Sequence, residues 1–270
     1  MSGCVGALSI PKNRGFSVNG RDRATKGRQA IVKYVLSDIR HPGAMKISDQ
    51  FRGPDGRANG GWIAGHAASY LPPGTTVEVT LRAATPLDTE VRLEKHPSAV
   101  HVYDGDQLLV EARPVDTVLE PPPMIDPGRI RGAFPGERSH PFPGCFVCGH
   151  REPGDGLRVH PVPTDRPGEL AALWYAHPAL AEWSATLPLT HVWGALDCPT
   201  GWVHLVAGRV ALLGRLTARV YGSLFPGTTY TIVARSEGTE RRKLYGSAGI
   251  YEPSGRLVAA SHATWIAVDA

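Results

Sequence analysis

Asp197 stands between Leu196 and Cys198 in a stretch, Thr190 to Ala207, whose Trp193, Leu196 and Trp202 recur at helical spacing. A carboxylate on so apolar a helix has few reasons to be there. It either anchors a hydrogen bond near Pro199, or it acts as the base or nucleophile that a desolvated acid can become. A second candidate is Asn59-Gly60-Gly61, at the head of another apolar pattern, Ala58 to Leu71, carrying Trp62, Ile63, His66, Ala67 and Tyr70. The Asn can cap that helix while the glycines allow close packing, or its amide can donate to a reacting oxygen; both readings stay open. The third is Cys145-Phe146-Val147-Cys148 with His140, His150 and His160 nearby, half of a zinc ribbon. Zinc needs a closed ligand set and only one such pair is present, so no metal is expected and the segment reads as a linker packing across two halves. Cys198 is a poor nucleophile beside Asp197, which raises a thiol's pKa. Gly154-Asp155-Gly156 with Arg151 and Arg158, and also Arg129, Arg131 and Arg138, offer phosphate contacts, but without the strand-to-helix setting of a phosphate loop.

These residues need elements to hold them. Ala44 to Arg52 alternates as a strand and Gly53-Pro54-Asp55-Gly56 turns the chain into the first helix. Pro72-Pro73-Gly74 stops that helix, and strands follow over Thr76 to Ala83, Thr89 to Lys95, Ala99 to Asp104 and Gln107 to Val115. Periodicity then fails from Val118 to Pro163, where prolines imply a stiff connection. Beyond it the order repeats. Glu169 to Tyr175 reads as a strand, the Asp197 helix comes next, and strands follow over Ala211 to Ser223, Thr229 to Glu237, Arg242 to Tyr251 and Arg256 to Val268. The expected organisation is a tail over 1–42, a first domain over 43–117, a Pro-rich linker over 118–163 and a second domain over 164–270. Two such units side by side continue a sheet across a shared edge and hide its unpaired backbone. The competing architecture is a single sandwich or barrel with a helix inserted.

The 270 residues, 42% of them apolar, suffice for two cores, and 24 prolines with 31 glycines favour short strands over long helices. A net charge of +4, drawn largely from Lys12, Arg14, Arg21, Arg23, Lys26 and Arg28, is too small for a nucleic-acid surface and reads as a solvated tail. No run approaches the roughly 20 apolar residues of a membrane span, and Met1 to Pro11 lacks a leader's basic and apolar regions, so a cytoplasmic protein without membrane insertion is expected. Cys4, Cys145, Cys148 and Cys198 form no disulfide framework and are expected as free thiols.

Phe51-Arg52-Gly53-Pro54, Ala58-Asn59-Gly60-Gly61-Trp62 with Ala64-Gly65, and Val77 to Leu81 resemble an actinobacterial family of double hot-dog, thioesterase-like proteins. His140-Pro141-Phe142-Pro143, Cys145 to Gly149, Gly154 to Arg158 and Val192 to Pro199 extend the likeness to the second half. The resemblance implies an α+β fold, a tandem (double) hot-dog in which each half is an antiparallel sheet wrapped around a central helix. It also implies a thioesterase site that binds acyl-CoA or a related acyl thioester between the halves, needs no cofactor, and allows a homodimer of such chains. By this resemblance Asn59, Gly60 and Gly61 stand where a His-Gly-Gly turn opens the helix and meets the carbonyl oxygen, with Asn replacing His. Asp197 stands at the base or nucleophile. The pieces lie in different halves, so the site must be shared between them. Trp62, His66, His191, Trp193 and Thr200 are the candidates for lining the cleft. Split motifs equally suit a non-catalytic acyl- or lipid-binding module, whereas a hot-dog dehydratase or hydratase, needing paired Asp and His, fits Asp197-Cys198-Pro199 and His204 poorly.

Overall fold

The computed structural model describes residues 43–181 and 183–268, so the expected basic tail lies outside the described residues. The first half contributes β1 (Ala44–Lys46), α1 (Gly60–Ala68), β2 (Thr76–Leu81), β3 (Glu90–Lys95), β4 (Val100–Asp104) and β5 (Gln107–Val115). The second contributes β6 (Val162–Pro163), β7 (Glu169–Tyr175), α2 (Leu189–Leu205), β8 (Ala211–Val220), β9 (Thr229–Glu240), β10 (Lys243–Tyr251) and β11 (Leu257–Ala267). All strands join one antiparallel sheet in the order β1-β3-β4-β5-β2-β8-β11-β10-β9-β7-β6. One continuous sheet enclosing a helix from each half describes the chain; a sandwich with an inserted helix does not.

The halves meet where β2 pairs with β8, setting Val77 opposite Ala218 and Val79 opposite Leu216. All four side chains are buried. One residue out of phase, Glu78 faces outward and takes Arg113 at 2.7 Å and Arg215 at 3.5 Å. The period-2 alternation therefore puts apolar contact on the helix side of the seam and exposed charge pairs on the other, and the buried side carries most of the stabilisation.

Local chemistry sets the helix boundaries. The first strand ends at Lys46, short of Arg52, because the Ser48 side chain accepts from the Gln50 N–H and starts a single 3-10 turn over Asp49–Phe51. Helix α1 begins at Gly60, not Ala58, because Asn59 has extended backbone (φ −61°, ψ 131°) and its side chain accepts from Trp62 N at 2.8 Å. From Gly61 to Ala68 every residue of α1 except Trp62 is buried, the signature of a helix enclosed on all sides.

The two helices approach closely because α1 has no side chain at two positions a turn apart. A Cβ on Gly61 would overlap the Asp197 Cβ and come within 2.7 Å of the Trp193 carbonyl, and one on Gly65 would lie 2.7 Å from the Trp193 Cβ. The connection between the halves is packed on both faces of the sheet. Met124, Ile125 and Ile130 cover Ala171, Val233 and Tyr251, and the Tyr251 hydroxyl donates to the Pro122 carbonyl. The chain then returns to the helix side, where Phe134 stacks on His160 at 4.6 Å and meets Trp202 edge-on at 4.6 Å. Among the described residues, no helix is long and apolar enough to cross a membrane.

Candidate functional site

Asp197 is 1% exposed and lies on α2 facing the start of α1. Its Oδ2 accepts from the Gly61 backbone N–H at 2.8 Å and from Asn59 Nδ2 at 3.2 Å. Asn59 thus serves two roles with one amide: the oxygen caps α1 and the nitrogen holds an acid from the other half. The other carboxylate oxygen, Oδ1, is buried with no partner among the described residues. Burial pushes the Asp197 carboxyl up to about 7, against the Gly61 and Asn59 hydrogen bonds, which pull it down. Two residues on, Pro199 cannot donate within α2, and the local carbonyls bond elsewhere: Thr200 Oγ1 donates to the Asp197 carbonyl at 2.6 Å and Ser261 Oγ to that of Leu196 at 3.2 Å. The acid is therefore fixed from both its side chain and its backbone.

A cavity of about 290 Å³ opens beside it. Asn59, Gly60 and Asp197 line it together with Ile63, Leu81, Trp202, Leu205, Leu213 and Trp265, an apolar wall of the kind that receives an acyl chain. The exposed Arg57 and Arg209 also line it, and neither has a side-chain partner among the described residues. Thr85 contributes a buried hydroxyl with no partner among the described residues. Of the first-turn N–H groups of α1, that of Gly61 goes to Asp197 and that of Trp62 to the Asn59 cap, which leaves the Gly60 N–H without a protein partner among the described residues.

The sequence candidates fall into two groups. Asp197, Asn59 and Gly60 line the cavity, and Gly61 touches it through its hydrogen bond to the acid. Trp62, His66, His191, Trp193 and Thr200 do not line it. Trp62 stacks between Phe51 at 4.4 Å and His66 at 5.6 Å, His191 lies edge-on to Phe146 at 5.1 Å, and Thr200 accepts from Trp265 Nε1 at 2.9 Å. Burial lowers both His66 and His191 to about 4, so near neutral pH they are uncharged packing groups. Arg57, Arg209 and Thr85 were not singled out from sequence, since nothing in their neighbours separates them from ordinary surface or strand residues.

Three thiols, Cys145, Cys148 and Cys198, also line this cavity, and their sulfurs lie within 4.8 Å of one another. Cys145 and Cys198 are 3.8 Å apart. Hydrogen bonds from the Cys148 and Cys198 thiols hold Cys145 well below the usual thiol range, burial pushes Cys148 up, and donation to Cys145 pushes Cys198 up. The Cys-x-x-Cys pair was visible in sequence, but the third member was not.

No protein-family model matches the sequence, and no curated protein matches it. Solved structures do. A Mycobacterium avium tesB protein superposes with a TM-score of 0.57 at 14% identity, over 87% of this chain and 98% of that one. An acyl-CoA thioesterase II, TesB2, from Mycobacterium marinum gives 0.53 at 12% identity over 87% and 98%. A hot-dog protein from Alicyclobacillus acidocaldarius gives 0.56 at 10% identity over 84% and 93%. At such identities the shared property is the fold, and the chain is a double hot-dog protein.

Proposed function

We propose that the chain hydrolyses acyl-CoA, or a related acyl thioester, at the cavity between its two halves. The observation that carries this reading is the state of Asp197, a residue of the cavity wall: one oxygen is clamped by the Gly61 N–H and the Asn59 amide, and the other is buried without a partner among the described residues. A carboxylate so oriented is a general base. Its Oδ1 takes a proton from water as the hydroxide adds to the thioester carbonyl; the C–S bond then breaks and Asp197 returns that proton to the departing sulfur, releasing acid and thiol. The Gly60 N–H at the positive end of α1 and the Thr85 hydroxyl are unspent donors on the same wall, suited to the oxygen that becomes negative. The acyl chain lies along Ile63, Leu81, Leu205 and Leu213, and Arg57 with Arg209 meets the coenzyme's phosphates at the open end. Names of similar structures, an acyl-CoA thioesterase II among them, agree with this substrate class.

Hydrolysis of short, long and aromatic acyl-CoAs by the parent and by Asp197→Ala tests it. A general base contributes about 10²–10⁴-fold, so the variant should lose that much turnover on whichever chain length the parent accepts. Equal rates would remove Asp197 from the reaction. A second reading, a non-catalytic acyl-binding module, draws on the fact that Gly61 and Asn59 donate to the acid and not into the cavity. That module would bind acyl-CoA and release no product over long incubation.

A further inference from the structure

Buried cysteines are usually small apolar fillers with nothing polar directed at their sulfur. The trio at the cavity wall differs. Cys145 and Cys148 come from the connection between the halves and Cys198 from α2, 53 positions beyond Cys145, yet all three sulfurs gather within 4.8 Å. Nitrogen donors surround them. The backbone N–H groups of Val147 and Cys148 favour the charged form of the Cys145 sulfur, and the Trp202 indole favours that of Cys148. Asn59 Nδ2 lies 3.8 Å from the Cys145 sulfur and 3.7 Å from that of Cys198. A shell of N–H donors is what anionic sulfur requires and neutral thiols do not, and such donors commonly orient and tune metal-bound thiolates.

We propose that Cys145, Cys148 and Cys198 together bind one zinc ion through three thiolates, with the fourth position turned to the cavity that they line. Zinc–sulfur bonds of about 2.3 Å at tetrahedral angles set neighbouring sulfurs roughly 3.8 Å apart. The Cys145–Cys198 separation is already 3.8 Å and all three sulfurs lie within 4.8 Å of one another, so closing the set on an ion shortens the remaining pairs by no more than about 1 Å. His140 also lines the cavity but does not complete the set. Its Nε2 is 3.1 Å from the Cys148 carbonyl and its Nδ1 accepts from Phe142 N at 3.0 Å. Three protein ligands and one open position are the arrangement that holds an exchangeable water or ligand, as distinct from a closed structural site. The sharp turn that presents the pair is fixed by Gly149, whose N–H donates to the Cys145 carbonyl at 2.9 Å and where a Cβ would lie 2.5 Å from the Pro143 carbonyl.

The test needs no substrate, so its outcome is separate from that of the hydrolysis reading. The full chain carrying Cys4→Ser, reduced and stripped with chelator, is titrated with Zn²⁺ and with Co²⁺, the latter followed by its thiolate charge-transfer absorption. One ion per chain is expected, with Co²⁺ displaced by Zn²⁺. Cys145→Ser, Cys148→Ser and Cys198→Ser should each remove about a third of the absorption, the share of one thiolate in three. Trp202→Phe keeps every thiol and a ring of similar shape but removes the indole donor, and should weaken affinity about 10–100-fold; it guards against a cysteine variant that fails to fold. A reduced chain that takes up no Co²⁺, or serine variants whose absorption equals the parent's, would overturn the proposal.

Discussion

At the scale of single residues, the chain separates groups that are buried for packing from groups that are buried for chemistry. His66 and His191 belong to the first kind. Each has a folded pKa of about 4 against an ordinary 6.5, with burial as the cause. The unfolded chain therefore binds these protons first. Stability is fully present above about pH 6.5, falls as pH drops, and levels off below about 4, with a loss of roughly 3 kcal/mol per histidine. Asp197, raised to about 7, opposes this slope but is one group against two. Denaturant unfolding at pH 7 and pH 4.5 should show the acid loss in the parent and a shallower one in His66→Phe; identical slopes would contradict the assignment. Arg57 and Arg209 are of neither kind: they are exposed at the cavity, with no ion pair among the described residues. Arg57→Ala and Arg209→Ala should each raise KM for acyl-CoA several-fold with kcat nearly unchanged, an effect that shrinks as salt rises. A fall in kcat at constant KM would place them elsewhere in the reaction.

At the scale of elements, helix α1 is an anchor built from absent side chains. Gly65→Ala should force its Cβ against Trp193 and destabilise the fold by about 1–3 kcal/mol, seen as a melting temperature several degrees lower. An unchanged melting temperature would mean that the helices yield without cost. How far these elements were legible in sequence depends on where their information resides. Helix patterns and the strand order recur in both halves and could be read from periodicity, and an acid within an apolar helix announced itself. Two features were not legible. Periodicity puts His66, His191, Trp193 and Thr200 on helices without saying which face meets the other helix and which meets the cavity, and that face is chosen by the close approach at Gly61 and Gly65. Cys198 carries no spacing relative to Cys145 and Cys148, so only the fold of the connection onto α2 joins the three. The start of α1 also differs from the apolar pattern, because one capping amide at Asn59 decides the boundary and hydrophobicity does not.

For the whole molecule, the joining of two halves is what brings the candidate site together. Asn59 and Gly61 come from one, Asp197 from the other, and the hydrogen bonds that unite them span 138 and 136 positions of sequence. The β2–β8 seam and the packed helices hold that convergence, so a carboxylate that would be costly to bury in either half alone becomes a positioned group with one oxygen satisfied and one available. The most direct measurement is the turnover number of Asp197→Asn on saturating acyl-CoA, taken beside its affinity for a non-hydrolysable thioether analogue. A turnover lower by about 10²–10⁴-fold with affinity kept within a few-fold of the parent is the predicted result. Turnover equal to the parent's, at equal affinity, would contradict a catalytic acid at the meeting point of the two halves.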